Sequence, residues 1–338
     1  MIFIVGNSRS GTTMLGRVLA RNSRIHTFGE LHFFEHQVDG ATVRDRPVWP
    51  EDQAIVLVER LLTSARDGFF APVTSGRYLS DARAILSRVE CMDPVAIYAA
   101  FLQFETERHG KCIPCEQTPR YLFFAEDILE AFPNARIINM VRDPRDVLIS
   151  QKGKWKRRFL GGGNIPVREA VRAWANYHPL LIARLWVSCV RHGIHLGADA
   201  RVKTIRFEDL LQNPETVIRD LSQFVDVPFE LEMLRVPHVG SSSGADKPDQ
   251  LGINASRAGG WREGGLSKTE MAICEWIANK EMVMLGYGPV ANSMFSLRIL
   301  PSIFLLLIKL AIALPMNLSR TKNLRDTIRR RLFAGRSA

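Results

Sequence analysis

A short apolar run that ends in a glycine loop and passes at once into an amphipathic segment constrains this chain more than any other stretch of it. Residues 2–13 read IFIVGNSRSGTT. Ile2 to Val5 form the run, Gly6 and Gly11 frame the loop, and Met14, Leu15, Val18 and Leu19 then recur at helical spacing. Strand, glycine loop and helix in that order aim backbone N–H groups, and the positive end of a helix, at a bound anion. The GxxxxG spacing is that of a nucleotide phosphate loop. Thr12, however, stands where such a loop needs its lysine, and the cation inside the loop is Arg9. The loop suits a phosphate-like group without the usual arrangement of lysine and magnesium.

More apolar runs follow at 136–141 (RIINMV) and 202–207 (VKTIRF), with a weaker one at 111–116. Helical patterns at 95–108, 122–131, 167–192 and 214–225 separate them. Strands alternating with helices predict an α/β fold with a central parallel sheet covered on both faces. Ligands in such sheets bind at the carboxyl ends of the strands. Arg9, Arg142 and Glu208 fall at those ends. Residues 40–90 are polar and mixed and read as an insertion over the site. Segments 159–166 and 238–260 read as loops.

The second informative segment is VRDPRDVLIS, 141–150. Asp143 suits a helix N-cap and Pro144 the first helical position. Arg142 then sits at a strand end, with Ser150 two turns into the helix. Both can reach one anion beside the first loop, and a guanidinium suits bidentate phosphate binding. Two anion sites at neighbouring strand ends point to a ligand phosphorylated at two positions.

These residues resemble the sulfotransferases that use 3′-phosphoadenosine-5′-phosphosulfate (PAPS). SRSGTT looks like that family's 5′-phosphosulfate loop and VRDPRDVLIS like its 3′-phosphate motif. EQTPRYL (116–122), IRFEDLLQNPETVIRDLSQFVDVP (205–228) and GGWREGGLS (259–267) resemble further motifs in the same order. The likeness covers roughly residues 1–290 and is nearest the branch of tyrosylprotein sulfotransferases and many bacterial enzymes. It implies a P-loop-like sulfotransferase fold in which the backbone of Ser10, Gly11, Thr12 and Thr13 cradles the phosphosulfate. It also implies that Arg9 stabilises the leaving phosphate and that Arg142 and Ser150 hold the 3′-phosphate. Phe207 would stack on adenine or simply pack in the core, and Arg257 is a candidate 3′-phosphate ligand. The acceptor's general base would be Glu30, 21 residues after Arg9, with His32, His36 and His26 as alternatives. Gln117 departs from the family, which usually has a lysine there. No metal is expected. The rival class is a P-loop kinase or another nucleotide-dependent phosphotransferase.

The chain has 338 residues and a net charge of +10. Its excess is concentrated in residues 316–338, which carry seven cations and the single acid Asp326. That placement excludes a basic face on the core and with it a nucleic-acid partner. Five cysteines, three scattered and two in a CxxC at Cys112 and Cys115 that reads as two ordinary thiols, argue against a disulfide framework. With no leader ahead of the first strand, the expectation is a cytoplasmic protein. Before the basic tail, residues 297–314 read LRILPSIFLLLIKLAIAL, too interrupted for a membrane span. Two readings stay open: an interfacial helix on an anionic membrane surface, or a helix that closes the core. The expected organisation is a sulfotransferase domain at 1–292 and an apolar helix with a basic tail at 293–338. The acceptor hydroxyl is expected on a lipid or glycan. The run KGKWKRR (152–158) is a candidate lid or steering patch.

Overall fold

The computed structural model describes residues 1–38, 40–160, 165–239, 246–255, 258–290 and 300–318. The predicted strands form β1 (Ile2–Gly6), β3 (Ile113–Gln117), β4 (Arg136–Val141) and β5 (Val202–Arg206), joined by a three-residue edge strand, β2 (Ile25–Thr27). All pair in parallel, in the order β2-β3-β1-β4-β5. Ile2 aligns with Cys115 on one side and Arg136 on the other. The carboxyl ends of all five strands therefore share one edge. From β1 the chain builds first the β2–β3 flank and then crosses to β4, so the crevice between β1 and β4 is the topological switch point where such sheets bind ligands.

The helices, in order, begin with α1 (Thr12–Ala20), α2 (Gly40–Asp45), α3 (Glu51–Arg66), α4 (Leu79–Leu86), α5 (Pro94–Arg108) and α6 (Ala125–Ala131). They continue with α7 (Pro144–Lys152), α8 (Val167–Ala175), α9 (Pro179–Leu196), α10 (Phe207–Gln212), α11 (Pro214–Phe224), α12 (Lys268–Met284) and α13 (Leu300–Leu318). Alternation along β1 divides them into two layers. Phe3 and Val5 join Leu57, Leu61, Ile85, Tyr98, Phe101 and Tyr121 in one buried cluster. Ile2 and Ile4 join Leu15, Leu19, Ile138, Leu210 and Leu221 in the other.

Two expectations are corrected here. The helical pattern at 167–192 is two helices, because Pro179 opens α9 and forces His178 into an extended conformation (φ −150°, ψ 135°). Residues 40–90 are more than an insertion over the site: α3 and α4 supply fully buried core residues such as Val58, Leu62 and Ile85. At the start of and within 238–260, read as a loop, a short antiparallel pair forms, Pro237–His238 with Lys247–Leu251.

Candidate active site

The β1 loop takes its shape from two glycines and one strained arginine. Gly6 has φ 139°, and a Cβ there would collide with the Met140 carbonyl of β4. Gly11 has φ 95°, and a Cβ there would strike the Phe207 ring. Arg9 itself lies at φ 77°, a left-handed conformation that side chains rarely adopt. The turn presents Arg9 inward and leads into α1, whose first N–H groups, from Thr12 and Thr13 onward, lack intrahelical acceptors by geometry. Ser10 is fully buried. Its hydroxyl finds no partner among the described residues. Thr12 is buried and Thr13 exposed.

The motif after β4 meets this loop directly. Arg9 Nε donates to Ser150 Oγ at 2.8 Å. Arg142 Nη1 donates to the Arg9 carbonyl at 3.3 Å. The Arg142 guanidinium lies 4.5 Å from the centroid of the Phe207 ring, and its own carbonyl is held by Trp186 Nε1 at 2.8 Å. Phe207 is almost fully buried, its ring shared between Gly11 and Arg142. Desolvation, then the charge of Arg142, pushes Arg9 down to about 10. Two guanidiniums that oppose each other at a strand-end crevice, beside a buried serine hydroxyl and a helix N-terminus, fit a multiply charged anion.

Other charges of the motif work as scaffold. Asp143 caps α7 by accepting from Arg145 N at 2.9 Å. The buried Arg145 guanidinium pairs with Asp143 at 2.7 Å and Glu275 at 2.9 Å, and lies 3.7 Å from the Trp261 ring centroid. Asp146 accepts the backbone N–H groups of Gly259 and Trp261, each at 2.9 Å. The GGWR segment is thereby bound to α7. Arg262 lies over the Trp261 ring at 4.5 Å. Arg257 falls outside the described residues. Glu208 also proves structural: it accepts from Asp143 N at 2.9 Å and Tyr287 Oη at 2.7 Å, and burial raises its pKa.

On the opposite wall, Glu30 follows β2 by three residues and begins a chain of charges. Its carboxylate is 3.2 Å from His32 Nε2. His32 Nδ1 lies 2.9 Å from Glu35, whose other oxygen accepts from Arg120 at 3.0 Å. Glu30 keeps 46% of its side-chain surface accessible while His32 keeps 11%, so Glu30 is the more exposed of the two. Desolvation acts to raise the Glu30 pKa. The His32 hydrogen bond and the charges of His32, Lys154 and Arg120 outweigh it and hold the group below the usual carboxylate value. Desolvation opposes charge on His32 too, yet its bonds to Glu30 and Glu35 raise it to about 9. The turn is anchored from beneath. Buried Glu116, pushed up to about 8 mainly by desolvation, accepts the Leu31 N–H at 3.1 Å. Tyr121 Oη accepts the Phe33 N–H at 2.6 Å.

His32, Glu35 and His36 bring ligand atoms within 4.8 Å of one another. Within this cluster His32 Nδ1 and Arg120 both already contact the Glu35 carboxylate. His26 is remote in character: it stacks on His109 at 4.0 Å and is pushed down to about 4 by desolvation and by that neighbour. Gln117 is buried with its side chain beside Gly16 of α1. Both thiols of the CxxC are free, Cys112 exposed and Cys115 buried.

The run 152–158 is partly engaged. Lys152 pairs with Glu270 at 2.8 Å, and Arg157 with Asp246 at 2.6 Å. Lys154, at the head of a 3₁₀ turn (Lys154–Phe159), is pushed down to about 8. Desolvation is the main cause, then the charge of Arg9, with Glu30 opposing. The side chain nonetheless keeps contact with solvent. Sequence reading gave no individual role to Lys154, Glu35 or Arg120. The signal for Arg120 was its place inside EQTPRYL; Glu35 offered only its i, i+3 spacing from His32.

A sequence model of the sulfotransferase family matches residues 2–231. An uncharacterised protein of Aquifex aeolicus (strain VF5) is 25% identical over 240 residues, 69% of this chain and 26% of its own length. A protein-tyrosine sulfotransferase of Drosophila melanogaster is 29% identical over 136 residues, 39% of this chain and 25% of its own. The chain thus spans about a quarter of the length of these curated relatives. Among solved structures, the sulfotransferase domain from the curacin biosynthetic pathway aligns with 86% of this chain and 98% of its own, at 20% identity and a TM-score of 0.49. The family match begins at β1 and runs through both strand-end arginines to the end of α11 and beyond, and the chain belongs to the sulfotransferase family.

Proposed function

We propose that the protein transfers the sulfuryl group of PAPS to an acceptor hydroxyl and releases adenosine 3′,5′-bisphosphate. One observation carries the reading: Arg9 and Arg142, from two neighbouring strand ends, are joined through the Arg9 carbonyl and Ser150, opposite an accessible Glu30 carboxylate. Family membership supports sulfuryl transfer in general. The paired guanidiniums support a donor that carries both a 5′-phosphosulfate and a 3′-phosphate.

PAPS supplies an activated sulfuryl group when bound. Ser10, Gly11, Thr12 and Thr13 would hold its 5′ end, and Arg142 and Ser150 its 3′-phosphate. Phe207 already has one face against Arg142, so its part is to fix that guanidinium. Glu30 accepts the proton of the attacking hydroxyl. Arg9 faces the charge that develops on the leaving phosphate, and Lys154 adds a second cation near that place. His32 holds the Glu30 carboxylate in orientation and in its ionised state. The acceptor is a hydroxyl on a lipid or glycan, reached from the cytoplasmic side at an anionic membrane surface. No metal enters this scheme. The sulfotransferase domain of 1–292 carries the chemistry, and 293–338 carries the surface contact.

The test is calorimetric titration with adenosine 3′,5′-bisphosphate in the absence of magnesium, with AMP and ATP as competitors. Micromolar binding that depends on the 3′-phosphate is expected. Preference for magnesium–ATP would replace this reading with the phosphotransferase alternative.

A further inference from the structure

Helices on the surface of a globular protein turn an apolar stripe inward and a polar one outward. α13 (Leu300–Leu318) departs from this pattern. Its inner side mixes half-buried Leu306 and Leu310 with Lys309, Ala313 and Asn317, and most of its apolar side chains face outward. Lys309 is only 7% exposed. Its ammonium donates to the Tyr177 carbonyl at 2.9 Å and lies 4.8 Å from the Trp174 ring centroid. Asn317 donates to Asn176 Oδ1 at 2.9 Å and accepts from Arg172 at 3.2 Å. These contacts place a cation and an amide at the C-terminal end of α8, where leftover carbonyls and the helix dipole favour them. Burial lowers the Lys309 pKa, a cost the helix accepts in order to be held by its polar side.

The outer face is Phe304, Leu305, Leu307, Ile308, Ile312 and Leu314, with Phe304 at 66% and Leu307 at 61% exposure. The neighbouring α8 adds exposed Val167, Val171 and Trp174, at i, i+4 and i+7. Exposed apolar side chains in this number on two packed helices mark an interaction site.

We propose that α13 docks the protein flat onto an anionic lipid bilayer, its outer face in the headgroup–acyl boundary and Lys309 and Asn317 bolting it to α8. Charge selects this occupant. Residues 319–338, directly after the helix, carry seven cations against Asp326. A polybasic segment gains about 1 kcal/mol per cation near anionic lipid, and an apolar face together with such a segment supplies the two signals that stable surface binding needs. A second copy of a chain with net charge +10 brings the same charge to the contact and is repelled. No helix among the described residues is long and apolar enough to cross a membrane. This deepens the surface contact proposed above, naming the helix face that makes it, and stands without the transfer reaction.

The experiment is vesicle co-sedimentation of the full chain with phosphatidylcholine containing about one third phosphatidylserine, against pure phosphatidylcholine. Phe304→Glu/Leu307→Glu and an Arg329→Ser/Arg330→Ser/Arg331→Ser variant are run in parallel. Sedimentation with the anionic vesicles is expected, with at least a tenfold loss of bound fraction in the apolar-face variant. A smaller loss is expected in the arginine variant and at high salt. Both variants change exposed or tail positions, and calorimetric binding of adenosine 3′,5′-bisphosphate by the same samples reports on the transfer reading separately. Undiminished sedimentation of the Phe304→Glu/Leu307→Glu variant overturns the proposal. So does a wild-type chain that stays in the supernatant, or light scattering that shows a dimer dissociated by those two substitutions.

Discussion

The two walls of the crevice are built by different means. The wall at β1 and β4 is local: a glycine loop and a capped helix, each within ten residues of its strand, place Arg9, Ser10, Arg142 and Ser150. The wall after β2 is assembled over distance. Arg120 reaches Glu35 across 85 residues, Glu116 holds Leu31 from β3 across the same separation, and Phe69 from the α3–α4 connection lies 4.7 Å from the His32 ring. Backbone geometry dictates the first wall, so short motifs announce it. Side-chain electrostatics dictate the second, and an acceptor site can be retuned there without disturbing the donor site.

The sharpest way to separate the walls is Glu30→Gln. It keeps the volume and removes the base, so turnover should fall about 10²–10⁴-fold while calorimetric affinity for adenosine 3′,5′-bisphosphate stays put. Normal turnover would move the base elsewhere, with His32 next to be tested. Arg142→Ala attacks the other wall. Loss of a charge-assisted contact should weaken that ligand by about 2–4 kcal/mol, and AMP, which lacks the 3′-phosphate, should bind as before. An equal loss for both nucleotides would remove Arg142 from the 3′ site.

A finer comparison uses His32. Gln presents its amide nitrogen near the Nε2 position, facing Glu30, whereas Asn presents one near Nδ1, facing Glu35. His32→Gln should therefore retain about tenfold more turnover than His32→Asn, the worth of one hydrogen bond to a charged group. The opposite ranking would make His32 a strut for Glu35 and Arg120. The wild-type histidine also predicts a pH effect. Its folded pKa, about 9, exceeds the ordinary 6.5. The stability it contributes is full below about 6.5 and lost as pH rises through about 9. Melting temperature should show that falling limb, and His32→Gln should make it shallower, with Glu116, raised to about 8, supplying a part that remains. The smallest effect belongs to Ser150→Ala, about 1 kcal/mol or fivefold in nucleotide affinity, measured by the same titration.

The sequence reading followed these physical differences. β1, β4 and α7 were legible because periodicity, glycine and the Asp–Pro cap act over a few residues. β2 was missed, since IHT is too short to show alternation. The break before α9 was signalled only by Pro179. The charged residues of VRDPRD looked alike on paper, yet Arg142 faces the crevice while Arg145 is buried among Asp143 and Glu275, a distinction made by α12, more than 120 residues away. The polar docking of α13 was equally hidden, because a lone lysine in an apolar stretch reads as an interruption until its carbonyl partner is known.

The Arg145 lock sets a limit on dissection. The family match stops at residue 231, well short of the 1–292 domain that the sequence motifs suggest. A cut there would strip Glu275, the Gly288 carbonyl and the Trp261 ring from a guanidinium that is 1% exposed, leaving a cation in the interior with Asp143 as its partner among the described residues and Asp146 without the two N–H groups it accepts. The smallest piece that keeps this lock must extend through Gly288, so a chain ended at 231 should melt well below one ended after Gly288.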